Sequence, residues 1–119
     1  MKTIKPSELR ARGADDVSIL DVSTRRGPEI RGAIRYHLHD LLEAQGLVLP
    51  LAHDRTVVLY ADGIDEGRIA KLVERLEASG YRDVRRFEGN VEDYEHAGGT
   101  TQELSLAQPV AAREKDEKQ

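Results

Sequence analysis

Apolar positions along this chain fall into short clusters, and their spacing alternates between two periods. Val17-Ser18-Ile19-Leu20-Asp21-Val22 is a mostly apolar run too short for a helix, and Thr56-Val57-Val58-Leu59-Tyr60-Ala61 is β-branched and apolar on both faces. The second pattern belongs to a strand covered on each side, which favours a parallel sheet. Over residues 68–79 the period changes: Ile69, Leu72, Val73 and Leu76 form one stripe, with Lys71, Glu74, Arg75 and Glu77 facing water. Gly80 supplies the left-handed residue that stops this helix. Residues 6–13 read as a shorter helix, since proline suits a first turn where its missing N–H would be unpaired anyway. Residues 33–36 and 84–87 are further strand candidates, 38–45 is a helical turn or two, and 91–97 is a short helix ending at Gly98-Gly99. Strands alternating with helices predict an open α/β sheet.

From Thr100 the pattern dissolves. Leu104 and Leu106 are isolated, Pro109 breaks any helix, and residues 113–118 are all charged. A stretch without apolar periodicity buries too little surface to offset its ordering entropy. The expected organisation is therefore one folded domain over residues 1–99 and a flexible C-terminal tail or linker over 100–119. At 119 residues the chain is long enough for one core and not for two.

Composition narrows the function classes. With four tyrosines, one phenylalanine and no tryptophan, the core must be aliphatic. A net charge of -4 gives no electrostatic footprint for nucleic acid. The local basic cluster of Arg25, Arg26, Arg31 and Arg35 reads as a solvated loop and strand edge. The complete lack of cysteine excludes disulfides, thiolate metal sites and thiol catalysis. No apolar run approaches the roughly twenty residues of a membrane span, so no membrane insertion is expected. The N-terminal Met1-Lys2-Thr3-Ile4-Lys5-Pro6 lacks a signal-peptide core, and a cytoplasmic location is the default expectation.

Ile4 to Leu9, Ile19 to Val22, Ile30 to Ile34, Val57 to Tyr60 and Phe87 to Gly98, taken in this order and spacing, together resemble the rhodanese (sulfurtransferase) family over residues 4–99. Ile4-Lys5-Pro6-Ser7-Glu8-Leu9 is similar to the family's entry segment, and Ile19-Leu20-Asp21-Val22 to its first core strand with the typical acidic residue. Ile30-Arg31-Gly32-Ala33-Ile34 resembles the later part of its Gly-His-Ile-Pro-Gly-Ala segment, with Pro28, Glu29 and Arg31 replacing the Gly, His and Pro. Val57-Val58-Leu59-Tyr60 resembles the strand that delivers the active-site loop. Phe87-Glu88-Gly89-Asn90-Val91 through Gly98 resembles the closing signature, with Asn90 for a Gly and Tyr94 for the Trp. Asparagine tolerates a left-handed backbone, so the exchange at 90 is mild. The resemblance implies a central parallel sheet of about five strands with helices on both faces. Its ligand loop would sit at the carboxyl ends of the strands.

In active members a persulfide-carrying cysteine follows that strand directly; here the position is Ala61. The family loop runs four residues further before an Arg. This one runs Asp62, Gly63, Ile64, Asp65, Glu66 and Gly67 before Arg68, two residues longer. Such lengthening resembles a subset with enlarged loops, including phosphatase-type relatives. Alanine offers no nucleophile, so no catalytic residue is assigned. The loop's other task is to aim backbone N–H groups at an anion with help from the helix N-terminus. The carboxylates Asp62, Asp65 and Glu66 are expected to take that space themselves, as helix-capping groups. A hard cation wants such oxygen ligands, but their spacing matches no metal loop, and neither metal nor cofactor is expected.

Asp21 is expected to hydrogen-bond within the fold and support it, with Arg25 or Arg26 as partner where the family's following Arg is Ser23. His37 and His39 project to one side if the strand reaches them, but with no third ligand nearby they read as surface residues. His53 and His96 have no evident partners. The leading expectation is a catalytically inactive rhodanese-like domain acting as a binding or regulatory module. Its partner would be an unidentified protein or another domain of a longer chain. The alternative is a sulfurtransferase working by persulfide chemistry whose cysteine has been exchanged for Ala61. A metal-dependent hydrolase built on Asp62, Asp65 or Glu66 is a third class without supporting spacing.

Overall fold

The computed structural model describes residues 1–24 and 27–109. The chain runs β1 (Lys2–Ile4), α1 (Pro6–Arg12), a 3-10 turn (Ala14–Asp16), β2 (Ser18–Asp21), β3 (Glu29–Ile30), β4 (Ala33–Arg35) and α2 (Leu38–Glu43). It continues through β5 (Val57–Tyr60), α3 (Glu66–Ala78), β6 (Val84–Phe87), α4 (Val91–His96) and β7 (Thr101–Gln102). Five strands form one parallel sheet in the order β1-β6-β5-β2-β4, and β3 pairs antiparallel with β7 beside it. The expected α/β architecture, a five-stranded parallel sheet with helices on both faces, is the observed one.

The central strand shows why. All four residues of β5 are buried, and alternate side chains point to opposite faces. Val57 and Leu59 join Leu20 and Val22 against Leu38 and Leu41 of α2 and Ile69, Leu72, Val73 and Leu76 of α3. Val58 and Tyr60 join Ile19 and Phe87 against Leu9 of α1 and Val91 and Tyr94 of α4. The predicted stripe of α3 is thus its buried face. Tyr94, at the tryptophan position, is buried edge-on to Phe87 with ring centroids 6.3 Å apart.

At the amino ends of the strands a polar cluster ties α1, β1, β5 and β6 together. Thr56 donates to Asp83 at 2.8 Å and accepts from Arg12 at 2.8 Å, while Asp83 also takes Arg85 and Lys2. Desolvation pushes the Asp83 carboxyl up, but hydrogen bonds from Arg85, Thr56 and Lys2 outweigh it and hold it low.

Two expectations are corrected here. Asn90 is extended (φ -128°) and caps α4 by accepting from the Asp93 N–H at 2.9 Å; the left-handed residue is Gly89, φ +113°. The chain also does not leave the fold at Gly99. β7 pairs Thr101 with Ile30 and Gln102 with Glu29, and Gln108 then bridges to Tyr36 beside β4. Residues 110–119 of the expected tail lie outside the described residues. Among the described residues no helix is long and apolar enough to cross a membrane.

Candidate functional site

The carboxyl ends of β2, β4 and β5 bring together the loops beginning at Val22, Tyr36 and Ala61. Parallel register aligns these ends: Asp21 pairs with Arg35 on one side and with Tyr60 on the other. The loop after β5 is shaped by its own hydrogen bonds. The Ile64 N–H donates to the Ala61 carbonyl at 3.1 Å, closing a four-residue turn with Gly63 at φ +86°. A Cβ on Gly63 would lie 2.5 Å from the Thr24 hydroxyl oxygen, so both conformation and space demand glycine. Thr24 in turn donates its N–H to the Asp62 carbonyl at 3.3 Å. Ala61 and Ile64 are both buried and pack in the core on the α3 side. The nucleophile position is a methyl group inside the protein.

The carboxylates of the loop do not converge. Asp65 is the N-cap of α3, accepting the Arg68 N–H at 3.1 Å and the Arg68 Nε–H at 2.7 Å. These hydrogen bonds, first among them that from the Arg68 side chain, hold its carboxyl below the usual range. The capping expectation therefore holds for Asp65. Glu66 turns outward to the guanidinium of Arg86, with its side chain 72% exposed. Asp62 is half-buried. The expectation that all three fill the anion space is corrected: Ile64 is folded inward there, while Asp65 and Glu66 face out.

Asp21 supports the site from beneath. It is 2% exposed and accepts the Ser23 N–H at 2.8 Å, with Arg35 Nη1 at 3.6 Å. Desolvation pushes its carboxyl up, the Ser23 hydrogen bonds and Arg35 pull it down, and the neighbouring Glu29 charge adds to the upward push. The net shift is upward. Arg25 and Arg26, the expected partners, lie outside the described residues; among the described ones the partner is Arg35. This arginine also donates to the Ser23 carbonyl at 2.9 Å, joining the ends of β2 and β4.

Between these loops opens a cleft of about 500 Å³. Its polar lining includes Ser23, Thr24, Tyr36, Arg35, Arg68 and the two histidines His37 and His39; its apolar lining includes Val22, Leu38, Ile64 and Leu104. Among the described residues no acidic side chain lines it, in a chain whose net charge is -4. His37 and His39 are not on a strand: β4 ends at Arg35, His37 is the residue before α2, and His39 lies in its first turn. Among the described residues no three His, Asp or Glu side chains are placed to hold a metal ion. His53 lies apart, stacked on Tyr81 at 4.4 Å.

Sequence reasoning missed Glu29, Gln102 and Leu104. Glu29 is 1% exposed and accepts from Gln102 Nε2 at 2.6 Å and Ser105 Oγ at 2.8 Å, so the segment after β7 is fastened to a buried carboxylate. A glutamate following glycine and proline reads as surface, and no sequence signal marks it otherwise.

No family model matches the chain, and no curated protein matches it. Solved structures do. The Alr3790 protein from Anabaena sp. is 23% identical, with 85% of this chain and 82% of that chain covered at a TM-score of 0.62. The rhodanese-like domain of the same Anabaena protein in solution is 21% identical over 95% of this chain and 93% of that one, with a TM-score of 0.61. A thiosulfate sulfurtransferase from Pseudomonas aeruginosa is 26% identical over 87% of this chain but only 20% of its own length, with a TM-score of 0.60. At these identities the likeness establishes the fold.

Proposed function

We propose that this rhodanese-like domain, which has no cysteine, serves as a binding or regulatory module and not as a sulfurtransferase. The observation that carries the reading is position 61. The residue that follows β5 is a buried alanine whose carbonyl closes the turn of the loop, with Ile64 folded in beside it. Persulfide chemistry needs a thiolate that reaches its donor, and the chain offers neither the sulfur nor an open approach. The adjoining cleft supports the binding half of the reading. It carries two arginines, two histidines and three hydroxyl-bearing residues over an apolar floor, which suits recognition of an anionic group on an organic ligand or a protein partner.

The test is sulfur transfer from thiosulfate to cyanide by the purified chain. We expect no turnover above a heat-killed control. Turnover would overturn the reading.

A further inference from the structure

Residues 101–108 are held against the domain almost entirely by polar contacts. Gln102 and Ser105 donate to the buried Oε2 of Glu29, Gln102 Oε1 accepts the Gly32 N–H at 3.0 Å, and the Gln108 N–H donates to the Arg35 carbonyl at 2.7 Å. Little apolar surface is buried: Leu104 remains 39% exposed and Leu106 87% exposed. Segments with few buried apolar contacts occupy the low-stability end of a fold and open without global unfolding. Yet Leu104 forms a wall of the cleft that holds Arg35 and Arg68, and Gln108 covers the outer edge of β4 beside it. Among the described residues the second carboxylate oxygen of Glu29, Oε1, is buried with no hydrogen-bond partner. A carboxylate in that state is hydrated when the segment lifts, so the closure also carries a built-in opposing force.

We infer that residues 101–108 form a strap that gates this cleft, latched on Glu29, and that an organic anion entering the cleft competes with the shut strap. The inference rests on the binding reading above and adds its regulation. When only a fraction of molecules is competent, the apparent dissociation constant is the intrinsic one divided by that fraction. Releasing the latch therefore raises apparent affinity without changing any contact to the ligand. Neither Gln102 nor Ser105 lines the cleft, so the latch can be altered without touching the site.

The experiment uses the full chain, with anilinonaphthalene sulfonate, an apolar anion, as probe. In Gln102→Ala/Ser105→Ala we expect amide exchange at Gln108 to accelerate while Val58 and Leu59 stay protected. Probe affinity should rise about tenfold, corresponding to a strap that is open about a tenth of the time in the unaltered chain. Adding Arg68→Glu should remove that rise. A second variant, Leu104→Gly, removes the wall and leaves the latch: probe affinity should rise with Gln108 exchange unchanged. Unaltered Gln108 exchange in the latch variant, or faster exchange with no Arg68-dependent gain in binding, overturns the gate. Neither result bears on sulfur transfer, whose appearance would instead overturn the function proposed above.

Discussion

Ala61→Cys places a thiol where active relatives of the fold would carry one, and the structure argues that it stays inert. The site is 4% exposed, so the added sulfur is overpacked, at a cost of about 1–3 kcal/mol. An unperturbed thiol with pKa near 8.5 is only about 3% ionised at pH 7, and each unit of upward shift removes roughly another factor of ten, or about 1.4 kcal/mol. Burial drives the shift upward, whereas the dipole of α3 would drive it down. That dipole is already answered: the Asp65 carboxylate caps the first turn and binds Arg68. The Ile64 N–H, which would have to face a bound anion, is donated to the carbonyl of residue 61 itself. Because the chain has no other cysteine, iodoacetamide alkylation against pH reads this thiol alone. We expect a thiol pKa at or above the free value and no thiosulfate turnover. Neutralising the loop (Asp62→Asn, Asp65→Asn, Glu66→Gln) should not rescue it. Asp65 and Glu66 are 61% and 72% exposed, and their field is screened within about 3 Å at 1 M salt. A thiol pKa below about 7 together with turnover would refute the argument. Rescue by the neutralised loop alone would show that charge, not shape, had closed the site.

Three further outcomes can be checked by chemical denaturation. Ile64→Ala should cost about 2 kcal/mol, the low end for a buried isoleucine because its site borders the cleft, and a cost below about 0.5 kcal/mol would mean that the loop is not packed. Asp65→Ala should lower stability through loss of the α3 cap, with Asp65→Asn retaining most of it; equal losses would point to the charge and not to the hydrogen bond. Asp21 has a raised folded pKa, so the folded state binds its proton more tightly than the unfolded one. Its ionisation therefore weakens the fold as pH rises from the unfolded value through the folded one. The stability of the unaltered chain relative to Asp21→Asn should accordingly fall across that acidic window and then level off. A relative stability that grows with pH would show that Arg35 outweighs burial.

What could be read from the sequence was whatever repeats. Helix α3 declares itself because four apolar residues recur on one face, and β5 because four consecutive residues are all apolar. Its start was misread by two residues: the periodic stripe begins only at Ile69, whereas the backbone turns helical at Glu66 because Asp65 caps it. Strand β1 escaped notice because three residues, two of them exposed, contain no period; its register comes from β6. The same holds for β7, whose two residues pair with the equally short β3. The position of the candidate loop was legible by resemblance, but its inward-turned isoleucine was not. In a segment of alternating acids and glycines, one isoleucine carries no pattern to say which way it faces.

The loop's departures from a working anion cradle act together. Alanine at 61 removes the nucleophile and leaves room for close packing. The longer loop lets Ile64 reach inward and donate its N–H to the carbonyl of residue 61, which consumes a donor that an anion would need. Asp65 then closes the helix end, and Arg68, the cation nearest that end, is drawn into the cap. Each change removes something different: reactivity, backbone geometry, helix-end charge. Reversing one leaves the other two in force, and persulfide chemistry needs nucleophile, backbone donors and helix end together. The lining that survives is on the other side of Ile64, where Arg35 and the two histidines face the cleft under Leu104. Under the binding function proposed above, recognition at the ends of the strands rests on the side chains beside the loop and not on the loop backbone.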